Sequence, residues 1–149
     1  MTVKKIMAIK PEEVITTKAE TSIDEAMDLL ISNKIGCLPV VEDDGKLIGI
    51  VSDHDIFARI HATKGNYHSL KVADLMITNL IVGLPDDDLE YIAGVMKKNW
   101  IRHVPIVKGD HVIGIISQRD IIKSQAKRAE VENRYLMDML QGGDRSGDI

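Results

Sequence analysis

Apolar residues change their spacing along this chain, and each change marks an element. Ile23, Ala26, Met27, Leu30 and Ile31 recur at the spacing of a helix with one buried face. Ser22 and Glu25 form a capping-box pattern at its start. Upstream, Val14-Ile15-Thr16-Thr17 predicts a short strand. Downstream, two apolar runs flank Asp44-Gly45, which predicts a hairpin with a type I′ turn. The second run finishes in Ser52-Asp53-His54-Asp55, and a Ser-x-x-Asp at that point predicts another helix start.

The same order of patterns returns about 65 residues later. Pro39 recurs as Pro105, Gly49 as Gly114, Ser52 as Ser117 and Asp55 as Asp120. Gly109-Asp110 suits a type II′ turn in the second hairpin. Leu80-Ile81-Val82 stands for the first strand, with Asp87 and Glu90 starting a helix whose stripe is Leu89, Ile92, Ala93 and Met96. Further back, VKKIM ending at Met7 matches VADLM ending at Met76. The chain is therefore two β-α-β-β-α copies, and pairing them is the economical way to bury both sheets. Residues 1–70 read as the first domain and 71–123 as the second. Residues 124–149 read as a helical extension, running to about Leu140 before a disordered tail.

Composition narrows the chemistry. A formal net charge of −4 argues against a nucleic-acid backbone as the main partner. With aromatics at 3%, the core must come from Ile, Val, Leu and Met. Cys37 is the sole cysteine, which excludes an intrachain disulfide and a cysteine-based metal site, and reads as a small buried apolar residue. Trp100 and Tyr91 read as core or interface residues. Neither a membrane span nor a secretory signal is visible, so a cytoplasmic protein is expected.

Two copies each carrying an apolar-Pro-Val/Ile run, a glycine and a terminal Ser-x-x-Asp resemble a tandem pair of cystathionine-β-synthase (CBS) domains, a Bateman module, over roughly residues 3 to 123. The resemblance implies an α/β fold of two pseudo-symmetric domains packed sheet to sheet. It implies regulation rather than catalysis, and no required cofactor. The regulatory ligand would be an adenine nucleotide or S-adenosylmethionine, held in clefts between the domains. A homodimer and a client protein are further expectations of the family. Carried over by position, Ser52 with Asp55 and Ser117 with Asp120 would meet ribose or phosphate. Thr16, Thr17, Ile81 and Val82 would frame the base, and Arg102, His103 and Arg119 would meet phosphate.

Each of these residues has a plainer alternative. Ser-x-x-Asp caps a helix whether or not it meets a ligand. Ile81 and Val82 suit a core, and Arg102 and Arg119 suit a solvated surface. Gly36-Cys37 stand where the second copy has Arg102-His103, so the two clefts are not expected to be equivalent. Asp53-His54-Asp55 with His61 and His68 has the look of metal ligands, yet the second copy has Gln118-Arg119-Asp120, which excludes a repeated metal site. The rival to ligand sensing is a structural module that acts by dimerisation alone.

Overall fold

The computed structural model describes residues 1–10 and 13–147, with side chains described as far as Gln141. Element order is α1 (Val3–Ile9), α2 (Ile23–Asn33), β1 (Cys37–Val41), β2 (Leu47–Ser52), α3 (Asp53–Ala62), α4 (Val72–Leu75), α5 (Leu89–Asn99), β3 (His103–Lys108), β4 (His111–Ser117) and α6 (Gln118–Gly147). β1 pairs antiparallel with β2, and β3 with β4. The expected first strands shrink to single parallel bridges, Thr17 to Val40 and Gly83 to Ile106. In each bridge one residue both donates to and accepts from the hairpin's outer strand: Thr17 N to Pro39 O and Val41 N to Thr17 O are both 2.9 Å.

Each half has its own core, and each core borrows a helix from the other copy. Val3 of α1 is wholly buried among Leu89, Ile92, Val104 and Ile116 of the second copy. Val72 of α4 is wholly buried among Ile23, Leu38, Val40 and Val51 of the first. Backbone bonds fix the exchange: Val3 N–H donates to Asp87 O at 2.9 Å, and Val72 N–H donates to Thr21 O at 2.8 Å. A cut at residue 70 thus separates the sequence copies without separating the cores. Between the halves lies a third cluster, Val41, Leu47 and Val107 with Leu80 and Val112, sealed where Leu47 N–H donates to Asp110 O at 2.9 Å.

Several local expectations are corrected. Gly45 has φ +91° but Asp44 is not left-handed, so the first turn is not type I′. Gly45 N–H donates to Glu42 O and Glu42 N–H to Lys46 O, both at 2.9 Å, the bonding of a three-residue loop ending in a left-handed glycine. Helix α5 takes Asp88 as its N-cap without a side-chain bond, while Asp87 accepts from Leu84 N–H at 2.8 Å. Ser22 does cap α2, accepting from Glu25 N–H at 3.2 Å. Trp100 is 94% exposed and Tyr91 is exposed, so neither is a core residue. Trp100 takes φ +56° as the C-cap of α5, as Lys34 does for α2, and this termination holds the indole off the body. The final helix does not stop near Leu140 but continues to Gly147, with every described side chain beyond Ser124 exposed. Asp148 and Ile149 of the expected tail lie outside the described residues.

Candidate ligand cleft

At the start of α6, Asp120 turns its carboxylate back onto Ser117. Its Oδ2 accepts from Ser117 N–H at 2.8 Å and from Ser117 Oγ at 3.0 Å, while Asp120 N–H donates to Ser117 Oγ at 3.2 Å. Asp55 does the same with Ser52 at the start of α3, at 3.0, 2.8 and 3.2 Å. Both pairs are reciprocal helix caps, each contributing about 1 kcal/mol. The two caps differ in what surrounds them.

Asp120 opens into a cleft of about 1190 Å³ between the halves. Val14 and Ile15 of the first copy and Ile113 and Ile115 of β4 line it, so both copies contribute apolar surface. Five basic side chains (Lys10, Lys34, Arg102, Arg119 and Lys123) line it against three acidic ones (Glu13, Asp53 and Asp120). An acidic chain has therefore gathered a local surplus of positive charge. Lys10 Nζ donates to Asp120 Oδ2 at 3.0 Å. Burial pushes the Asp120 carboxyl up, but the Ser117 N–H and the Lys10 ammonium outweigh it and hold the group below its ordinary value.

The middle of the cleft is where the copies differ most. Gln118 N–H donates to Arg102 O at 2.8 Å, and in the first copy Asp53 N–H donates to Gly36 O at 2.9 Å, so these four positions are pseudo-equivalent. A Cβ on Gly36 would stand 3.0 Å from His103 Cε1 and 3.4 Å from Asp53 Oδ2. The missing side chain at Gly36 thus makes room for the imidazole. Burial holds His103 below the ordinary histidine value, against the opposing pull of Asp53. Cys37 forms part of the same wall, and burial followed by the Asp53 charge pushes its thiol up to about 12.

Of the residues singled out in the sequence, Arg102, His103, Ser117, Arg119 and Asp120 meet in this one cleft. Ser52, Asp55, Ile81 and Val82 do not line it. Thr16 and Thr17 line a separate depression of about 400 Å³ beside α2. Three parts of the lining went unread. Val14 and Ile15, two residues before the threonines, supply the apolar wall. Asp53, singled out only as part of a metal-like run, lines the cleft where Asp55 does not. Lys10 is the third, and its signal was comparative: three residues past Met7 stands a lysine, and three past Met76 stands Asn79. Among the described residues no group of three or more His, Cys, Asp or Glu side chains is arranged for a metal ion. None of the described helices is long and apolar enough to cross a membrane.

A paired hairpin unit, repeated with exchanged leader helices around an inter-domain cleft, defines a tandem regulatory module. The CBS domain family model matches residues 3–62 and again 72–127, and the chain belongs to that family. It is 34% identical over 113 residues to the CBS domain-containing protein YhcV of Bacillus subtilis, covering 76% of this chain and 79% of that one. It is 33% identical over 119 residues to the uncharacterized protein MJ1225 of Methanocaldococcus jannaschii, covering 79% of this chain but only 41% of the relative. Among solved structures, the CBS domain pair of protein MJ0100, in complex with 5′-methylthioadenosine and S-adenosyl-L-methionine, superposes with a TM-score of 0.76 at 31% identity, over 86% of this chain and 98% of that one. CBSX2 in complex with AMP gives a TM-score of 0.71 at 27% identity, with the same two coverages.

Proposed function

We propose that this chain senses an adenosyl ligand in the Asp120 cleft and passes its occupancy to a partner protein. The observation that carries this is the cleft itself, which joins apolar walls from both copies to a capped carboxylate and a surplus of cations. The base lies between Val14, Ile15, Ile113 and Ile115, the ribose diol meets Asp120, and phosphate faces Arg102, Arg119 and Lys123. MJ0100 and CBSX2, bound to adenosyl ligands, support the ligand class. The positive lining favours AMP, ADP or ATP over S-adenosylmethionine, whose sulfonium is a cation.

Signalling follows from where the walls come from. Leader and hairpin belong to different copies, so a ligand bridging them stabilises one relative arrangement of the halves. It shifts the population only as far as its affinity differs between arrangements. The exposed length of α6 starts at the cleft and is the element placed to carry that change outward. A homodimer built through this surface is the expected assembly, in the cytoplasm.

Calorimetric titration with AMP, ATP and S-adenosylmethionine tests the reading, using wild type, Asp120→Asn and Asp55→Asn. Saturable binding of AMP or ATP that Asp120→Asn loses and Asp55→Asn keeps is the expected result. Absence of binding below the millimolar range in wild type would leave both Ser-x-x-Asp pairs as caps of an assembly module.

A further inference from the structure

We propose that Lys10 is the residue by which this cleft tells a phosphorylated adenosyl ligand from an unphosphorylated one. The inference rests on the adenosyl-sensor reading and adds a selection step to it. The Lys10 ammonium lies 3.0 Å from Asp120 Oδ2, the oxygen that already takes both Ser117 donors. The helix cap is complete without it, since Asp55 is held by Ser52 alone in the other half. Lys10 is therefore a third donor to a satisfied oxygen, held there by charge.

Its position suits exchange. Lys10 is the C-cap of α1, and its backbone N–H is fixed on Ile6 O at 3.0 Å. The stem beyond that anchor is a flexible chain of four methylenes. The side chain is 33% exposed against 11% for Asp120, so the ammonium sits at the mouth and the carboxylate within. A ribose diol that takes Asp120 as its acceptor competes with this ion pair. The displaced ammonium then gives up its closest contact with an anion in a part-buried cleft, a loss that a ligand carrying its own anion makes good. A phosphate supplies that anion and a bare nucleoside does not. Lys10 thus opposes adenosine and favours AMP.

Nothing in the shared architecture requires this lysine. The leaders align at Met7 and Met76, and the second leader has Asn79 at the corresponding place. A residue needed for the fold of either half would be expected in both.

The test is the ratio of dissociation constants for adenosine and AMP, measured by calorimetry for wild type, Lys10→Gln and Lys10→Met. Wild type is expected to prefer AMP. Both variants are expected to bind adenosine more tightly and AMP more weakly, shrinking the ratio by on the order of tenfold. Unchanged ratios, or a loss of the same factor for both ligands, would overturn the role of Lys10 while leaving the sensor intact. Wild type that binds neither ligand would sink the sensor reading and this inference together. Thermal unfolding of both variants separates a selection effect from a folding defect, and Lys10→Met keeps an unbranched stem in place of the lysine's.

Discussion

Ile77 pairs with Ile50 across an antiparallel bridge, Ile50 N–H donating to Ile77 O at 3.0 Å and Ile77 N–H to Ile50 O at 2.8 Å. The outer edge of β2 is thereby covered. On β4 the pseudo-equivalent residue is Ile115, and the described residues form no such bridge to it. The cause lies in the leaders. Helix α4 ends at Leu75 and the chain turns extended at Met76, whereas α1 stays helical to Ile9 and leaves the β4 edge to the cleft. One half is closed by the backbone of the second copy's leader and the other is open. The expected stoichiometry is one adenosyl ligand per chain at saturation, measured by native mass spectrometry. Two per chain would show that the Ile50–Ile77 bridge gives way.

The same asymmetry separates two glycines. A Cβ on Gly49 would lie 2.9 Å from Met76 Sδ and 3.2 Å from the Ile77 backbone oxygen, so the bridge itself would have to move. A Cβ on Gly114 would meet Met7 Cε and Sδ, the far end of a side chain that can rotate away. Gly49→Ala is expected to cost about 1–3 kcal/mol, and Gly114→Ala less. Urea unfolding of the two variants checks the order. Equal losses would mean that the bridge is softer than its two hydrogen bonds suggest.

Exchange of the leaders predicts a crossed pattern of local stability. Val3 and Val72 are each wholly buried in the core of the other copy. Val3→Ala is expected to cost on the order of 1–3 kcal/mol. Its largest loss of amide protection should fall at Ile106 and Ile116, about a hundred residues away in sequence. Val72→Ala should instead expose Val40 and Val51. Hydrogen exchange by residue decides the matter, and protection lost only within a variant's own copy would contradict the exchange.

Helices and hairpins were legible in the sequence because periodicity and turn residues are local signals. The repeat made Ser117 and Asp120 readable as a pair, and Arg102-His103 readable as a departure. Relative placement was not local. The sequence treats Ser52-Asp55 and Ser117-Asp120 alike, yet only the second pair faces the cleft, because the neighbouring leader decides which edge is open. The sequence could not place Asp53 for the same reason: its neighbours in the cleft are the bare Gly36 and His103, far off in sequence. Thr16 and Thr17 line a separate depression, while Val14 and Ile15, two residues earlier, line the cleft. A strand that pairs at one residue fixes its phase by tertiary contact, not by alternation.

Thr17 carries a cost that can be removed. Its residue is 4% exposed, and its Oγ1 is buried without a hydrogen-bond partner. Leaving a hydroxyl in that state costs about 1–3 kcal/mol. The backbone bonds to Pro39 and Val41 involve no side-chain atom and survive substitution. Thr17→Val keeps the shape and β-branching and is expected to raise stability by about 1 kcal/mol. The check is a rise in the thermal midpoint, with a fall implying that the hydroxyl finds a partner in solution.

Acid sensitivity of the protein without added ligand is expected to trace to His103 before it traces to any carboxylate. Burial lowers the folded-state value of His103, and Asp53 and Asp120 oppose that while Lys10 and Arg102 reinforce it. Below the unfolded value of about 6.5 the unfolded chain binds the proton that the folded chain refuses, so stability falls with pH from there until the folded value is passed. Asp120, whose folded value is depressed, adds its own loss only as pH falls below about 4. His111 works in the opposite sense. Its Nε2 lies 2.8 Å from Asp44 O and its Nδ1 2.6 Å from Asp110 Oδ1, two acceptors that favour a ring protonated on both nitrogens. The bond to Asp44 and then that to Asp110 raise its folded value, so its stabilisation is present below about 6.5 and lost as pH rises through that value. Full exposure to solvent keeps the His111 contribution small. Thermal midpoints measured between pH 7.5 and 5 should therefore decline for wild type and stay nearly level for His103→Gln. Parallel slopes for the two proteins would move the acid-sensitive group out of the cleft. Adding AMP should reduce the wild-type slope, because a phosphate beside His103 favours the protonated ring that burial disfavours.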